Sequence, residues 1–183
     1  MTARAQRWAI RINQIAPGVL GVGNTPGTNK SALIQSGNTI RVSSDFRTQA
    51  AGLQSIAGLT WQLPAAALTY SFHCALSYSE TGIVSAVTFG IGATQGSPVH
   101  LFANGNMQTG ATAFSGGTLA DMKPGAAAGI VSGTPSALKS DFTATLDGTI
   151  ENGPAGDSVN IKVGAANASS AVTIRRGSYC QLF

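Results

Sequence analysis

Hydrophobic and polar positions alternate most cleanly over Thr69–Ser79. There Tyr70, Phe72, Cys74, Leu76 and Tyr78 are interleaved with Ser71, His73, Ala75 and Ser77. A period of two places one set on each face of an extended chain, so this segment predicts a strand with one apolar face and one small or polar face. The same period recurs in Ile83, Val87, Phe89 and Ile91, in Phe142, Ala144, Leu146 and Ile150, and in Val159, Ile161 and Val163. Shorter candidates are Thr39–Val42, Leu59–Leu63, Val99–Ala103 and Val172–Ile174. Turn chemistry separates them at Glu80-Thr81-Gly82, Asn104-Gly105, Asp147-Gly148, Asn152-Gly153-Pro154 and Arg176-Gly177. About eight short strands with turns between them predict an all-β, antiparallel sandwich. The stretch 105–138 is the least regular and predicts a long surface loop with one or two short strands. No fixed-period repeat argues for a propeller or solenoid.

The first fifty residues read differently. Within 2–15, Trp8, Ile12 and Ile15 fall at helical spacing and Pro17 would stop a helix, so a short helix is expected there. Residues 17–38 are rich in Gly, Pro, Asn, Ser and Thr and predict an extended linker. The division expected is a basic arm and linker over 1–50 and a sandwich over 51–183. Charge supports it. Arg4, Arg7, Arg11, Lys30, Arg41 and Arg47 face Asp45 alone in the first segment, whereas the second holds five basic and six acidic residues. Arg4, Arg7 and Arg11 would share one helical face beside Trp8, which suits docking onto an acidic protein surface. Three arginines are few for packaging nucleic acid and no basic stripe follows, so direct nucleic-acid contact is not expected.

Composition removes most chemistry. Charged residues make up 10% of 183 positions, against about 25% in an ordinary soluble domain. Such a surface must be covered by small polar residues or by neighbouring subunits. Two histidines and two cysteines leave little for a metal site, and no cofactor is expected. Gly21–Ser31 lacks the Gly before Lys30 that a phosphate loop needs, and Gly90-Ile91-Gly92 lacks a third glycine. No nucleophile elbow exists, and His73 and His100 read as ordinary solvent- or interface-facing histidines. Asp147 and Glu151 are the one pair of acids that could approach as in a glycosidase; solvated acids near a turn are the plainer reading. No segment reaches the roughly 20 apolar residues of a membrane span, and Arg11, Asn13 and Pro17 spoil a cleavable signal. Cytoplasmic synthesis keeps thiols reduced, so Cys74 is expected as a small buried hydrophobe. Whether Cys180 faces inward depends on a bulge at Arg175-Arg176-Gly177; a Cys74–Cys180 bond is conceivable but not the expected state.

Leu53–Leu63, Thr69–Cys74, Tyr78-Ser79, Thr81-Gly82, Val87–Gly90, Gly148–Gly153 and Val172–Tyr179 together resemble the jelly-roll domains of tailed-bacteriophage virion proteins, over roughly residues 50–183. The resemblance implies a tumour-necrosis-factor-like trimeric sandwich serving as capsid decoration (cement), head-fibre or tail-fibre domain. It carries no catalytic residues. The resulting expectation is a non-enzymatic homotrimer on the virion capsid surface, bound to the major capsid protein, with Arg4, Arg7, Trp8 and Arg11 as the docking arm. The alternative is a tail-fibre or receptor-binding domain that recognises host-surface glycans through the 105–138 segment.

Overall fold

A computed structural model of the protein describes residues 12–16, 19–22, 33–34, 39–63, 68–81, 85–93, 100–121, 127–137, 140–152 and 157–183. The chain divides into two compact units, Met1–Asn38 and Thr39–Phe183. In the first, β1 (Ile12–Ala16), β2 (Val19–Val22) and β3 (Leu33–Ile34) form a three-stranded antiparallel sheet in that order. This corrects the expected helix at 12–15; of the extended linker expected over 17–38, residues 19–22 and 33–34 are described and form strands. Ala16 pairs with Val19. β-Branched Ile12 and Ile15 favour the extended form once a partner strand is available. Arg4, Arg7, Trp8 and Arg11 lie outside the described residues.

The second unit holds the sandwich. Its strands are β4 (Thr39–Arg41), β5 (Phe46–Thr48), β6 (Gln54–Leu63), β7 (Thr69–Thr81), β8 (Val87–Ala93), β9 (His100–Gln108), β10 (Phe114–Leu119), β11 (Ala127–Gly133), β12 (Phe142–Glu151), β13 (Asp157–Ala165), β14 (Ala171–Ile174) and β15 (Tyr179–Leu182). One sheet runs β11-β8-β13-β6; the other contains β10-β9-β12-β7 and continues past β7. Numbered one to eight, the consecutive strands β6 to β13 therefore lie 1-8-3-6 in one sheet and 2-7-4-5 in the other. Successive strands cross repeatedly between layers, and all pairs are antiparallel. That order is the double Greek key of a jelly roll. β4 and β5 fall inside the 1–50 segment of the sequence reading, yet they belong to this sheet.

Period two builds the core as expected. Phe72, Cys74, Leu76 and Tyr78 of β7 and Phe142, Leu146 and Ile150 of β12 are buried against Phe89 and Ile91 of β8 and Val159, Ile161 and Val163 of β13. Tyr78 meets Phe89 edge-on at 5.1 Å and Phe142 at 5.8 Å. Each large side chain so buried contributes roughly 1.5–3 kcal/mol by area. Of the segment 105–138, β9 takes the residues to Gln108, and the two short strands expected within it are β10 and β11. Asn104-Gly105 and Asp147-Gly148 are mid-strand, not turns.

The last strand of the sheet is broken. β14 and β15 lie along the same edge of β7, with Ile174 opposite Tyr78 and Tyr179 opposite Ala75. Residues 175–178 thus stand against Leu76 and Ser77 alone. Gly177 takes a φ of 92°, a conformation that residues with a Cβ rarely adopt. A regular ladder from Ile174 would set Ser178 opposite Cys74 and Cys180 opposite Phe72. The two extra residues slide Cys180 into register with Cys74, and the two are joined by a disulfide, S–S 2.08 Å. The expectation of two reduced thiols is corrected by this register, which no spacing in the sequence displays. β4 and β5 pair with β15 and β14 and are interrupted at the same level. Val42 N donates to the Ser178 carbonyl at 2.9 Å and Gly177 N to the Val42 carbonyl at 2.9 Å.

Candidate interaction face

The outer face of the larger sheet carries every imidazole of the chain. β12 pairs with β7 so that Asp147 lies opposite His73, and His73 Nδ1 meets Asp147 Oδ1 at 2.6 Å. The chain of contacts continues across β15 and β4. The His73 ring meets Tyr179 edge-on at 6.5 Å, and the Arg41 guanidinium sits 5.9 Å from the Tyr179 centroid. Four strands thereby contribute a cation, a phenol, an imidazole and a carboxylate in series.

A second pair lies at the far end of β9. His100 Nδ1 meets Asp121 Oδ1 at 2.9 Å, and its ring stacks on Phe102 at 6.3 Å. Asp121 has a φ of 45°, the left-handed region that a short polar side chain tolerates better than most. The hydrogen bond to Asp121 and that carboxylate's charge raise the His100 pKa above its usual value, and Glu151 adds to this.

Both pairs are imidazole–carboxylate contacts between exposed side chains. No serine or threonine hydroxyl bonds either imidazole among the described residues, so the base of a hydrolytic triad has no nucleophile. Asp147 and Glu151 lie on the same strand face four residues apart, which separates them by about 13 Å at strand rise. A glycosidase pair needs about 5–9.5 Å. The described residues contain no group of three His, Cys, Asp or Glu fit to hold a metal ion. Among the described residues no helix is long and apolar enough to cross a membrane.

What the face offers is surface. Phe102, Phe114 and Phe183 are exposed. Between them lie Asn104, Asn106, Thr143, Thr145 and Thr149, all uncharged. A shallow groove of about 480 Å³ opens beside the break in the last strand, lined by Ala75, Ser77, Thr143, Thr145, Arg176 and Tyr179 among others. The two arginines at this break behave oppositely. Arg175 is held by Asp141 at 2.7 Å and Asp45 at 3.1 Å. Arg176 donates its backbone N–H to Asp45 at 2.8 Å, and its guanidinium has no carboxylate partner among the described residues. These bonds, the Arg176 N–H first, hold the Asp45 carboxyl below its usual pKa.

Two buried polar groups sit under the sheets. The Tyr78 hydroxyl donates to the Gln108 carbonyl at 2.6 Å; burial first, then the Glu80 charge, raises its pKa. Glu80 is fully buried, and its Oε1 accepts from the Ser85 N–H at 3.0 Å and hydroxyl at 2.7 Å. It fastens the chain entering β8 and plays no part on the outer face.

No family model matches the sequence, and no curated protein matches it. Among solved structures, a chain of the structure of infectious bursal disease virus, Gx strain, aligns with 90% of this chain and 44% of its own length, at 12% identity and a TM-score of 0.20. The chain thus spans less than half of that protein. At this TM-score the likeness supports no inference about fold or role.

Proposed function

We propose that this chain is a virion structural protein that decorates a bacteriophage capsid as a homotrimer and stabilises the head without performing chemistry. The observation that carries the reading is the 1-8-3-6 and 2-7-4-5 strand order on a body surfaced largely by Gly, Ala, Ser, Thr and Asn. Jelly rolls of this order serve as viral shell and lectin domains, so the step from fold to role is one of analogy. The uncharged faces fit burial between copies, where charge would have to be desolvated. The basic N-terminal segment with Arg4, Arg7, Trp8 and Arg11 supplies the reach to the major capsid protein, and three arms per trimer act together through avidity. Light scattering of the isolated protein is expected to give three times the 18.5 kDa chain mass; a monomer at micromolar concentration overturns the trimer. Removing residues 1–16 is expected to abolish capsid binding while the sandwich stays folded, and retained binding overturns the docking arm.

One observation favours the second reading, a tail-fibre or receptor-binding domain. Exposed Phe102 and Phe114, with the groove beside Tyr179 and unpaired Arg176, supply the apolar ring faces and hydroxyls on which sugars stack and bond. Particle imaging decides between the two. Density on the head supports decoration, whereas density at the tail tip with sub-millimolar glycan binding supports the receptor role.

A further inference from the structure

We propose that Cys74 and Cys180 form an oxidation site that fastens both ends of the sandwich chain after it leaves a reducing compartment. The geometry is that of a latch. β15 is a four-residue C-terminal strand held along one edge by β7, and β4, its other neighbour, has no strand partner besides β15. Among the described residues β15 thus supplies the strand pairing of Thr39–Arg41, the strand by which the chain enters the sandwich and which also packs on β6. The disulfide sits in the middle of that lap. Beyond it only Gln181 and Leu182 still pair with β7, together with the Phe183–Ser71 backbone bonds at 2.7 and 3.1 Å.

Two features make the site specific. The sequence holds only these two cysteines, so no wrong intramolecular pairing competes. The two-residue insertion at 175–178 is what brings Cys180 opposite Cys74 rather than Phe72. Both sulfurs are wholly buried, so an oxidant reaches them only when β15 lifts, and the bond closes as the strand returns. With a low-molecular-weight disulfide as oxidant, one cysteine thiolate attacks it and releases one small thiol. The second cysteine then attacks the mixed disulfide and releases the other. Two protein thiols lose two protons and two electrons, and one small disulfide becomes two thiols. The closed ring spans a sequence separation of 106 and encloses the strands β8 to β14 whole. Restricting the unfolded chain in this way shifts the folding equilibrium by about 30- to 1,000-fold.

The test uses the full chain, made in a reducing cytoplasm and lysed into an alkylating agent, before and after oxidised glutathione. Mass spectrometry is expected to find two alkylated cysteines before and none after. Hydrogen exchange is then compared between the two states. Segments 39–42 and 179–183 are expected to exchange about 30-fold faster or more in the reduced protein, and in that state to exchange faster than β12. The C74S/C180S variant should match the reduced state with or without oxidant. If it fails to fold, the comparison of the two wild-type states stands alone. Thiols that remain alkylatable after oxidant overturn the site. Equal exchange in both states, or reduced-state protection in 39–42 and 179–183 equal to that of β12, overturns the latch.

Discussion

Replacing Gly148 with alanine tests the packing of the sandwich at one atom. Gly148 lies mid-strand in β12, opposite Phe72 on β7 and Ala103 on β9. A Cβ there would stand 2.2 Å from the Phe102 carbonyl oxygen and 2.6 and 2.7 Å from Cε1 and Cζ of the Phe72 ring. Non-bonded carbons rest at about 3.5–4.0 Å, so something must move by about 1 Å. Neither neighbour is free to do so. Phe102 is backbone within the β9–β12 ladder, and the Phe72 ring is buried, 5.8 Å from Trp61. Overpacking of this kind costs about 1–3 kcal/mol, and rigid neighbours on both sides place it near the upper end. With a urea slope of about 2 kcal/mol/M, the unfolding midpoint is expected to fall by about 1 M at constant slope. G116A is the control, because its nearest atom is Gly105 O at 3.9 Å; it should change stability by less than about 0.5 kcal/mol. F72L removes the ring, so in that background G148A should cost at least about 1 kcal/mol less. A glycine needed only for a turn would show no such coupling. A G148A midpoint equal to wild type, or additive costs with F72L, refutes the packing argument.

Three further outcomes follow from single groups. Y78F deletes the donor to the Gln108 carbonyl and should cost about 0.5–1.5 kcal/mol in thermal or urea unfolding; an unchanged midpoint contradicts the bond. His100 should titrate above its ordinary 6.5, by NMR, because Asp121 bonds its charged form. A raised folded-state pKa means this contribution is complete below the unfolded value and is lost as pH rises through the folded one. D121N should therefore lower the His100 pKa and flatten stability over that window, and a wild-type His100 at or below 6.5 refutes the pairing. Asp45 runs the other way: its pKa is lowered from 3.8 by the Arg176 N–H and Arg175. Its contribution is present above 3.8 and disappears as pH falls through the folded-state value, so D45N should weaken the acid limb of the stability curve. An identical acid limb in D45N sinks that attribution.

Strands whose inward positions hold large residues were legible, and strands whose inward positions are small were not. β7 announces itself through Tyr70, Phe72, Leu76 and Tyr78, and β12 and β13 through similar runs. β10 reads FSGGTL, with Ser115, Gly117 and Leu119 half-buried. Gly117 is small because a Cβ would lie 2.0 Å from the Ile130 carbonyl oxygen of β11. Gly105 is small because Val131 Cγ1 would lie 2.7 Å away. Local turn chemistry cannot tell a glycine that bends the chain from one that lets another element close in; only the tertiary neighbour does. Gly58 is both, with a φ of 86° and a Cβ position 2.5 Å from the Arg41 carbonyl oxygen. The helical spacing at 2–15 failed at 12–15 for another reason: Ile12 and Ile15 are β-branched and take the extended form once a partner strand pairs with them.

The outer face was hidden for a different reason, and that reason bears on how it works. Its parts come from segments 21 to 106 residues apart: His100 with Asp121, His73 with Asp147 and Tyr179 with His73. Register alone brings them together, so no linear motif could mark them. Period two did place His73 on the polar side of β7, but its partner could be found only by knowing that β12 lies beside β7 and at which offset. The same registers give the aspartates of this region partners, while the Arg176 guanidinium has no carboxylate partner among the described residues. Asp147, Asp121, Asp141 and Asp45 each hold a cationic or imidazole partner, leaving aromatic rings and hydroxyls between satisfied charges. Exposed pairs of this kind add little stability. Their consequence is a surface with few unpaired charges to desolvate, which lowers the cost of laying another surface over it. On such a face binding depends on shape and apolar contact, so substituting exposed Phe102 or Phe114 should disturb a partner more than removing either histidine.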